Sequence, residues 1–138
     1  LIALPVLLAL YYFWQNPEKR KRVMKLGFII LPVSYIIAKI GSHLFYNARP
    51  FVSEGIAPLI QHVADNGFPS DHVLLASAIS ALFMFLNRRI SIWLWVITIL
   101  IAISRVYVGV HHVIDVVGSI LISLLVAGVV YSLNQDGR

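Results

Sequence analysis

The chain has 138 residues, of which 59% are hydrophobic and only 12% charged, and its mean hydropathy is +0.86. A soluble domain carries roughly twice that share of charge, so a water-soluble enzyme is excluded and a single membrane domain over residues 1–138 is expected. There is no cysteine, which removes disulfides and thiolate metal sites, and the formal charge of +5 is distributed in a way that points away from nucleic acid.

Apolar residues gather in long blocks instead of alternating with polar ones, the pattern of membrane spans. Backbone groups in lipid have to be satisfied within their own segment, so each block is expected to be a helix. Five blocks follow one another: residues 1–14, 26–46, 72–86, 92–108 and 113–133. The first is short of the roughly 20 residues a bilayer needs, and it starts on Leu1, not a methionine. The expectation is an all-α polytopic transmembrane bundle of five helices, with room for a sixth ahead of the first. The third block is also short, and is expected to tilt little or to be extended by its flanks. No cleavable signal peptide, repeat or low-complexity tract is visible. One long connection, residues 47–71, carries Pro50, Pro58 and Pro69.

The basic residues sort by connection. Lys19, Arg20, Lys21, Arg22 and Lys25 lie between the first two blocks, Arg88 and Arg89 between the third and fourth, and Arg138 at the C-terminus. Five alternating helices put these eight of the eleven on one side, which the positive-inside rule makes cytoplasmic. Lys39, Arg49 and Arg105 remain. Lys39, about two turns below the outer end of the second helix, either snorkels to the interface or serves a site. Arg49 and Arg105 stand against the charge rule and are expected to have a partner.

On this topology the outer end collects Arg49, the "PSDH" stretch with Ser70, Asp71 and His72, then Arg105, and "HHVID" from His111 to Asp115. His72, His111 or His112, and Asp115 have the residue types and spacing of metal ligands. Two guanidiniums beside them would repel a divalent cation and suit an oxyanion, to which the planar fork donates in pairs. A metal is therefore the weaker case, and no cofactor is expected. Ser70 reads as a helix N-cap, with free N–H groups beyond it for an anion. With phosphate in place, a neutral imidazole can attack phosphorus if a carboxylate holds its other nitrogen. Asp115 can do this for His111 at i+4 or for His112 at i+3, and spacing does not choose between them. His72 can protonate the leaving oxygen and later activate water.

These residues resemble a known family. "SRVYVGVHHVID", residues 104–115, resembles the third signature of the type 2 phosphatidic acid phosphatase superfamily: Ser-Arg, five residues, His, three residues, Asp. "PSDH" resembles the second, Pro-Ser-Gly-His, and "ARP" at 48–50 the end of the first. The resemblance implies a helical bundle without metal that dephosphorylates through a phosphohistidine. It selects His111 as nucleophile, Asp115 as its orienter and His72 as general acid, with Arg49, Ser70 and Arg105 on the phosphate. Two positions depart from the pattern. Ser42 stands where the first signature has lysine, and Lys39 one turn earlier is the candidate substitute. Asp71 replaces the glycine of the second signature; its backbone N–H still serves the phosphate site while its side chain turns away or stays protonated near a second phosphate.

"LFYNARPFV" together with "DNGFPSDH" is similar to the bacterial undecaprenyl-diphosphate phosphatases of the bacitracin-resistance type, in which an aspartate at this place is familiar. The resemblance implies a multi-pass protein of the bacterial plasma membrane whose site faces the extracytoplasmic side. There it would hydrolyse undecaprenyl diphosphate, released by wall synthesis, to undecaprenyl phosphate and phosphate. Phosphatidylglycerol phosphate or phosphatidate is the alternative substrate, phosphoryl transfer to an alcohol an alternative reaction, and a silent lipid-binding or transport relative the alternative class. The expected partners are a polyprenyl diphosphate lipid and the bilayer, with no nucleic acid and no obligate protein partner. His43 and His62 read as structural or solvated. Tyr11, Tyr12, Phe13, Trp14, Trp93 and Trp95 read as an interfacial belt. Gly109 is expected to permit a turn and Gly118 close helix packing.

Overall fold

The computed structural model describes residues 2–55 and 57–135; Leu1 and Arg138, which entered the charge and terminus arguments, lie outside them. The described residues form six helices: α1 (Ala3–Phe13), α2 (Pro17–Leu44), α3 (Pro50–Ser53), α4 (Asp71–Leu86), α5 (Arg88–Tyr107) and α6 (Val113–Gln135). Five of them fall on the five apolar blocks. The sixth, α3, is a single turn inside the long connection, started by Pro50, whose ring fits the first helical position. Among the described residues there is no strand, only an isolated bridge between Ala48 and Asn66.

Helix ends follow local chemistry. The Asn16 side chain accepts from the backbone N–H of Lys19 at 3.0 Å and Pro17 occupies the first position, so α2 begins nine residues ahead of its apolar block. Its 28 residues span about 42 Å at 1.5 Å per residue. That exceeds a hydrocarbon core of about 30 Å, leaving the basic first turns room beyond it. Asn87 closes α4 and caps α5, its side chain accepting from Arg89 and Ile90.

Helix α4 is the axis of the bundle. Val73, Leu74 and every residue from 76 to 83 are buried, although α4 has only 16 residues. Neither a small tilt nor flanking extension is needed, because other helices and not lipid surround it. By length and composition three helices could cross a bilayer, α2, α5 and α6, and α4 packs against all three. Leu26 and Ile30 of α2 meet Ala78 and Leu82 of α4 and Val126 and Val130 of α6. Thus α2 runs antiparallel to α4, and α6 parallel to it. The Tyr11 hydroxyl donates to the Leu86 carbonyl at 3.3 Å, which brings the end of α1 to the end of α4. The basic start of α2 and Arg88–Arg89 consequently share one end of the molecule.

Lipid gives helices no hydrophobic reason to associate, so small and polar residues hold them. Ser77 Oγ lies 2.7 Å from Ser123 Oγ on α6, Ser80 Oγ lies 2.9 Å from Thr98 Oγ1 on α5, and Ser91 donates to the Ser80 carbonyl at 2.8 Å. All five side chains are buried. At the opposite end, the Phe68 ring wedges between α2 and α6. A Cβ on Gly118 would overlap that ring, and one on Gly41 would stand 3.5 Å from it, so Gly118 supplies the expected close packing, against a loop residue.

Candidate active site

Four stretches of chain converge at the end away from the basic turns. Residues 45–49 leave α2, residues 65–70 enter α4, Arg105 sits in the last turn of α5, and residues 108–112 turn into α6. Gly109 has φ +76°, a left-handed conformation open to glycine, and supplies the expected turn. The reversal seats His111 inside the protein, 3% exposed, beside Asp115, which is fully buried.

The hydrogen bonds around His111 favour one tautomer. Arg49 Nη1 lies 3.2 Å from His111 Nε2, and a guanidinium can only donate. Nε2 therefore carries a lone pair. Nδ1 lies 2.9 Å from the Gly67 carbonyl oxygen, which can only accept, so Nδ1 carries the hydrogen. This arrangement suits the Nδ1–H tautomer of His111, with the Nε2 lone pair toward Arg49. Asp115 Oδ2 stands farther from Nδ1, at 3.5 Å. Its oxygens are engaged by the Asn47 side-chain N–H₂ at 2.7 Å and the His112 backbone N–H at 2.8 Å. The acceptor closest to His111 Nδ1 is accordingly the Gly67 carbonyl, with Asp115 behind it.

The geometry sets the two neighbouring histidines in different surroundings. His111 shares the buried cluster with Arg49. The ring of His112 faces outward, its Nε2 3.1 Å from the Ala48 carbonyl and its Nδ1 3.7 Å from Glu54.

Arg49, 5% exposed, is held at three points: Nε donates to Asp65 at 2.7 Å, and Nη1 both to the Val110 carbonyl at 2.9 Å and toward His111. Ser70 is the N-cap residue of α4, as expected, but its side chain makes no capping bond. Its hydroxyl is buried with no partner, as is Nε of Arg105. Buried polar groups are almost always satisfied, and these two are left free to donate to an acceptor. His72, at the second position of α4, is half-buried, with the Arg105 guanidinium among the charges acting on it.

The side chains of Asp71 and Lys39 lie away from the arginine cluster, for Asp71 as expected. The Asp71 side chain is exposed and, with Ser34, Tyr35 and His72, lines a groove of about 360 Å³ between α2 and α4. Lys39 is exposed, with Nζ 5.2 Å from the centre of the Tyr35 ring, and makes no bond to the arginine cluster. The inward stripe of α2 is Val23, Leu26, Ile30, Ser34 and Ala38, and its continuation is Ser42. Lys39, one residue after Ala38, is turned by about 100°. Lys39→Ala is accordingly expected to leave turnover within about twofold of wild type, the scale of a surface change near 0.5 kcal/mol. A clearly larger loss than Lys25→Ala in parallel assays would return Lys39 to the site.

The long connection contributes residues that the sequence did not single out. Asn66 donates to the Ser42 and Phe45 carbonyls and accepts from the backbone N–H of Asn47 and of Phe68. Asp65 pairs with Arg49: burial pushes its carboxyl upward, but the hydrogen bond and charge of Arg49 outweigh it and hold the pKa below its ordinary value. His62, read from sequence as structural or solvated, has its ring centre 6.2 Å from that of His111. Burial first, then the charges of Arg49 and Arg105, lower its pKa against the opposing Val63 carbonyl and Asp65. Among the described residues, no three His, Cys, Asp or Glu side chains group in a way that could hold a metal ion.

A family model described as the PAP2 superfamily matches residues 22–138. The chain is 36% identical over 124 residues to undecaprenyl-diphosphatase BcrC of Bacillus subtilis (strain 168), an alignment covering 88% of this chain and 62% of that protein. It is 34% identical over 123 residues to the bacitracin transport permease protein BcrC of Bacillus licheniformis, covering 87% and 60%. The chain thus spans about three-fifths of the length of these curated relatives. Among solved structures it resembles the first transmembrane PAP2 type phosphatidylglycerolphosphate phosphatase from Bacillus subtilis. The TM-score is 0.74 and the identity 25%, over 99% of this chain and 70% of that one.

Proposed function

This chain belongs to the PAP2 superfamily, and from that premise we propose that it is a membrane lipid phosphatase acting on a polyprenyl diphosphate, in the first place undecaprenyl diphosphate. The observation that carries this reading is the buried imidazole of His111 with its Nε2 beside Arg49, at the end of the bundle where Ser70 Oγ and Arg105 Nε are buried without partners. Such a group of donors around one nucleophile suits a tetrahedral oxyanion.

The chemistry proceeds in two displacements. The terminal phosphate takes the N–H that Arg49 now directs at Nε2, freeing that lone pair. Nε2 attacks phosphorus, and the bond from phosphorus to the bridging oxygen breaks as His72 delivers its proton to that oxygen. Lipid monophosphate leaves, and the phosphoryl group stays on His111. His72, now neutral, takes a proton from water as its oxygen attacks phosphorus, the N–P bond breaks, and inorganic phosphate departs. Throughout, Nδ1–H stays on the Gly67 carbonyl, with Asp115 behind it to offset the charge that builds on the ring. Arg49, Arg105 and Ser70 donate to phosphoryl oxygens, where aimed donors act most strongly.

The positive-inside rule supports an extracytoplasmic site, because the basic first turns of α2 and Arg88–Arg89 lie at the other end of the bundle. A second reading is phosphatidylglycerol phosphate as substrate, favoured by the structural resemblance to a phosphatase of that lipid; the same steps apply with a different leaving group. Phosphate release from undecaprenyl diphosphate in detergent with excess EDTA tests the proposal. Release that survives EDTA supports it, and release that EDTA abolishes would make the reaction metal-dependent. Silence here with turnover of phosphatidylglycerol phosphate would replace the substrate.

A further inference from the structure

The residue that ties the site together is absent from the signature motifs. Asn47 makes three hydrogen bonds. Its side-chain N–H₂ donates to Asp115 Oδ1 at 2.7 Å. Its carbonyl accepts from the Gly67 N–H at 2.8 Å, and its own N–H donates to Asn66 Oδ1 at 2.9 Å. Gly67 and Asp115 are the two acceptors that face His111 Nδ1, at 2.9 and 3.5 Å. One asparagine therefore holds both, the first through its backbone and the second through its side chain.

Gly67 shows how tight the arrangement is. A Cβ there would stand 3.0 Å from both the Asn47 carbonyl oxygen and Asp115 Oδ2, tighter than ordinary contact, so the glycine answers to close approach. On the His111 mechanism proposed above, we infer that Asn47 is a positioning residue. It fixes the Asp115 carboxylate and the Gly67 carbonyl so that His111 stays in the Nδ1–H tautomer with Nε2 aimed at phosphorus. A carboxylate with one oxygen freed can rotate onto another donor and cease to support Nδ1–H. Asn47 touches neither Arg49 nor Ser70 through any recorded hydrogen bond, so its contribution is to the nucleophile and not to phosphate affinity.

Two substitutions and two readouts test this. Asn47→Ala removes the side-chain donor and is expected to lower kcat by about 10- to 100-fold, the range seen when a partner that orients a working imidazole is lost, with KM nearly unchanged. Asn47→Asp keeps shape and backbone bonds but sets a carboxylate against Asp115. Its kcat relative to wild type at the same pH is expected to rise as pH falls, because one shared proton restores the hydrogen bond. Arg49, His111 and His112 are the other charged or titratable groups at this pair, and the same-pH comparison cancels them.

The second readout needs no turnover. With ¹⁵N-histidine labelling, and His111 assigned by its loss in His111→Gln, wild type should show one neutral Nδ1–H tautomer and Asn47→Ala a mixture. A kcat within twofold of wild type, a rise in KM matching the fall in kcat, an activity ratio for Asn47→Asp flat with pH, or an unchanged tautomer would each overturn the inference. Lack of wild-type release from either lipid would count against the phosphatase reading alone, leaving the tautomer to decide on Asn47.

Discussion

Replacing His111 by alanine is expected to lower phosphate release by about 10⁴-fold or more, the loss found when a covalent nucleophile is removed from a coupled catalytic group. Lipid binding should persist, because Arg105 and Ser70 keep their donors. Arg49 would lose its contact with Nε2 but retain Asp65 and the Val110 carbonyl, so its guanidinium stays in place. The measurement is single-turnover release from undecaprenyl diphosphate, with acid-labile phosphate on the protein followed in the same samples. Wild type should accumulate an N-linked phosphoryl group and the variant none. Retained turnover with a labelled protein would move the nucleophile to His112. Retained turnover without label would remove the covalent step and leave direct attack by water.

How far this site could be read from sequence depends on which physical signal each residue left. The spans were legible because hydropathy over twenty residues is a strong signal, and α5 and α6 match their apolar blocks within a few residues. The shortness of α4 was visible, but its cause was not: burial by neighbouring helices depends on tertiary packing, which periodicity does not report. His111 and Asp115 stood out by spacing, yet the different surroundings of His111 and His112 come from the turn at Gly109, which directs one ring inward and the next toward Glu54. For Lys39, a separation of three residues from Ser42 says less about a shared face than the buried stripe does. Counting from the buried stripe Ser34 and Ala38 leads to Ser42 and leaves Lys39 pointing elsewhere.

The polar loop was least legible. Asn47, Asp65, Asn66 and Gly67 lie in irregular chain with no period to betray an inward face. Two asparagines and a glycine between the signature stretches look like ordinary turn formers. Their bonds join partners as far apart as Asn47 and Asp115, and no local window contains both. One sign was available: two carboxamides, Asn47 and Asn66, stand near the arginine and serine stretches at places where no helix needs a cap.

Arg105 offers the clearest separation of function from fold. Arg49 is built into the structure by Asp65, Val110 and His111, so Arg49→Ala should reduce activity and stability together. The Arg105 side chain makes no hydrogen bond or ion pair among the described residues, and its Nε is buried without a partner. A half-buried cation in that state favours neither packing nor solvation, and its cost is tolerated only if something bound compensates. Arg105→Ala is therefore expected to lower kcat by about 10²- to 10³-fold, the loss for one well-placed donor to a transition-state oxyanion. Its thermal midpoint in detergent should be unchanged or higher, as when a strained functional group is removed. Phosphate should lose its protection as well: inorganic phosphate ought to raise the midpoint of wild type and raise that of the variant much less. A midpoint that falls with activity would make Arg105 a structural residue whose partner lies outside the described contacts, and would take the phosphate site with it.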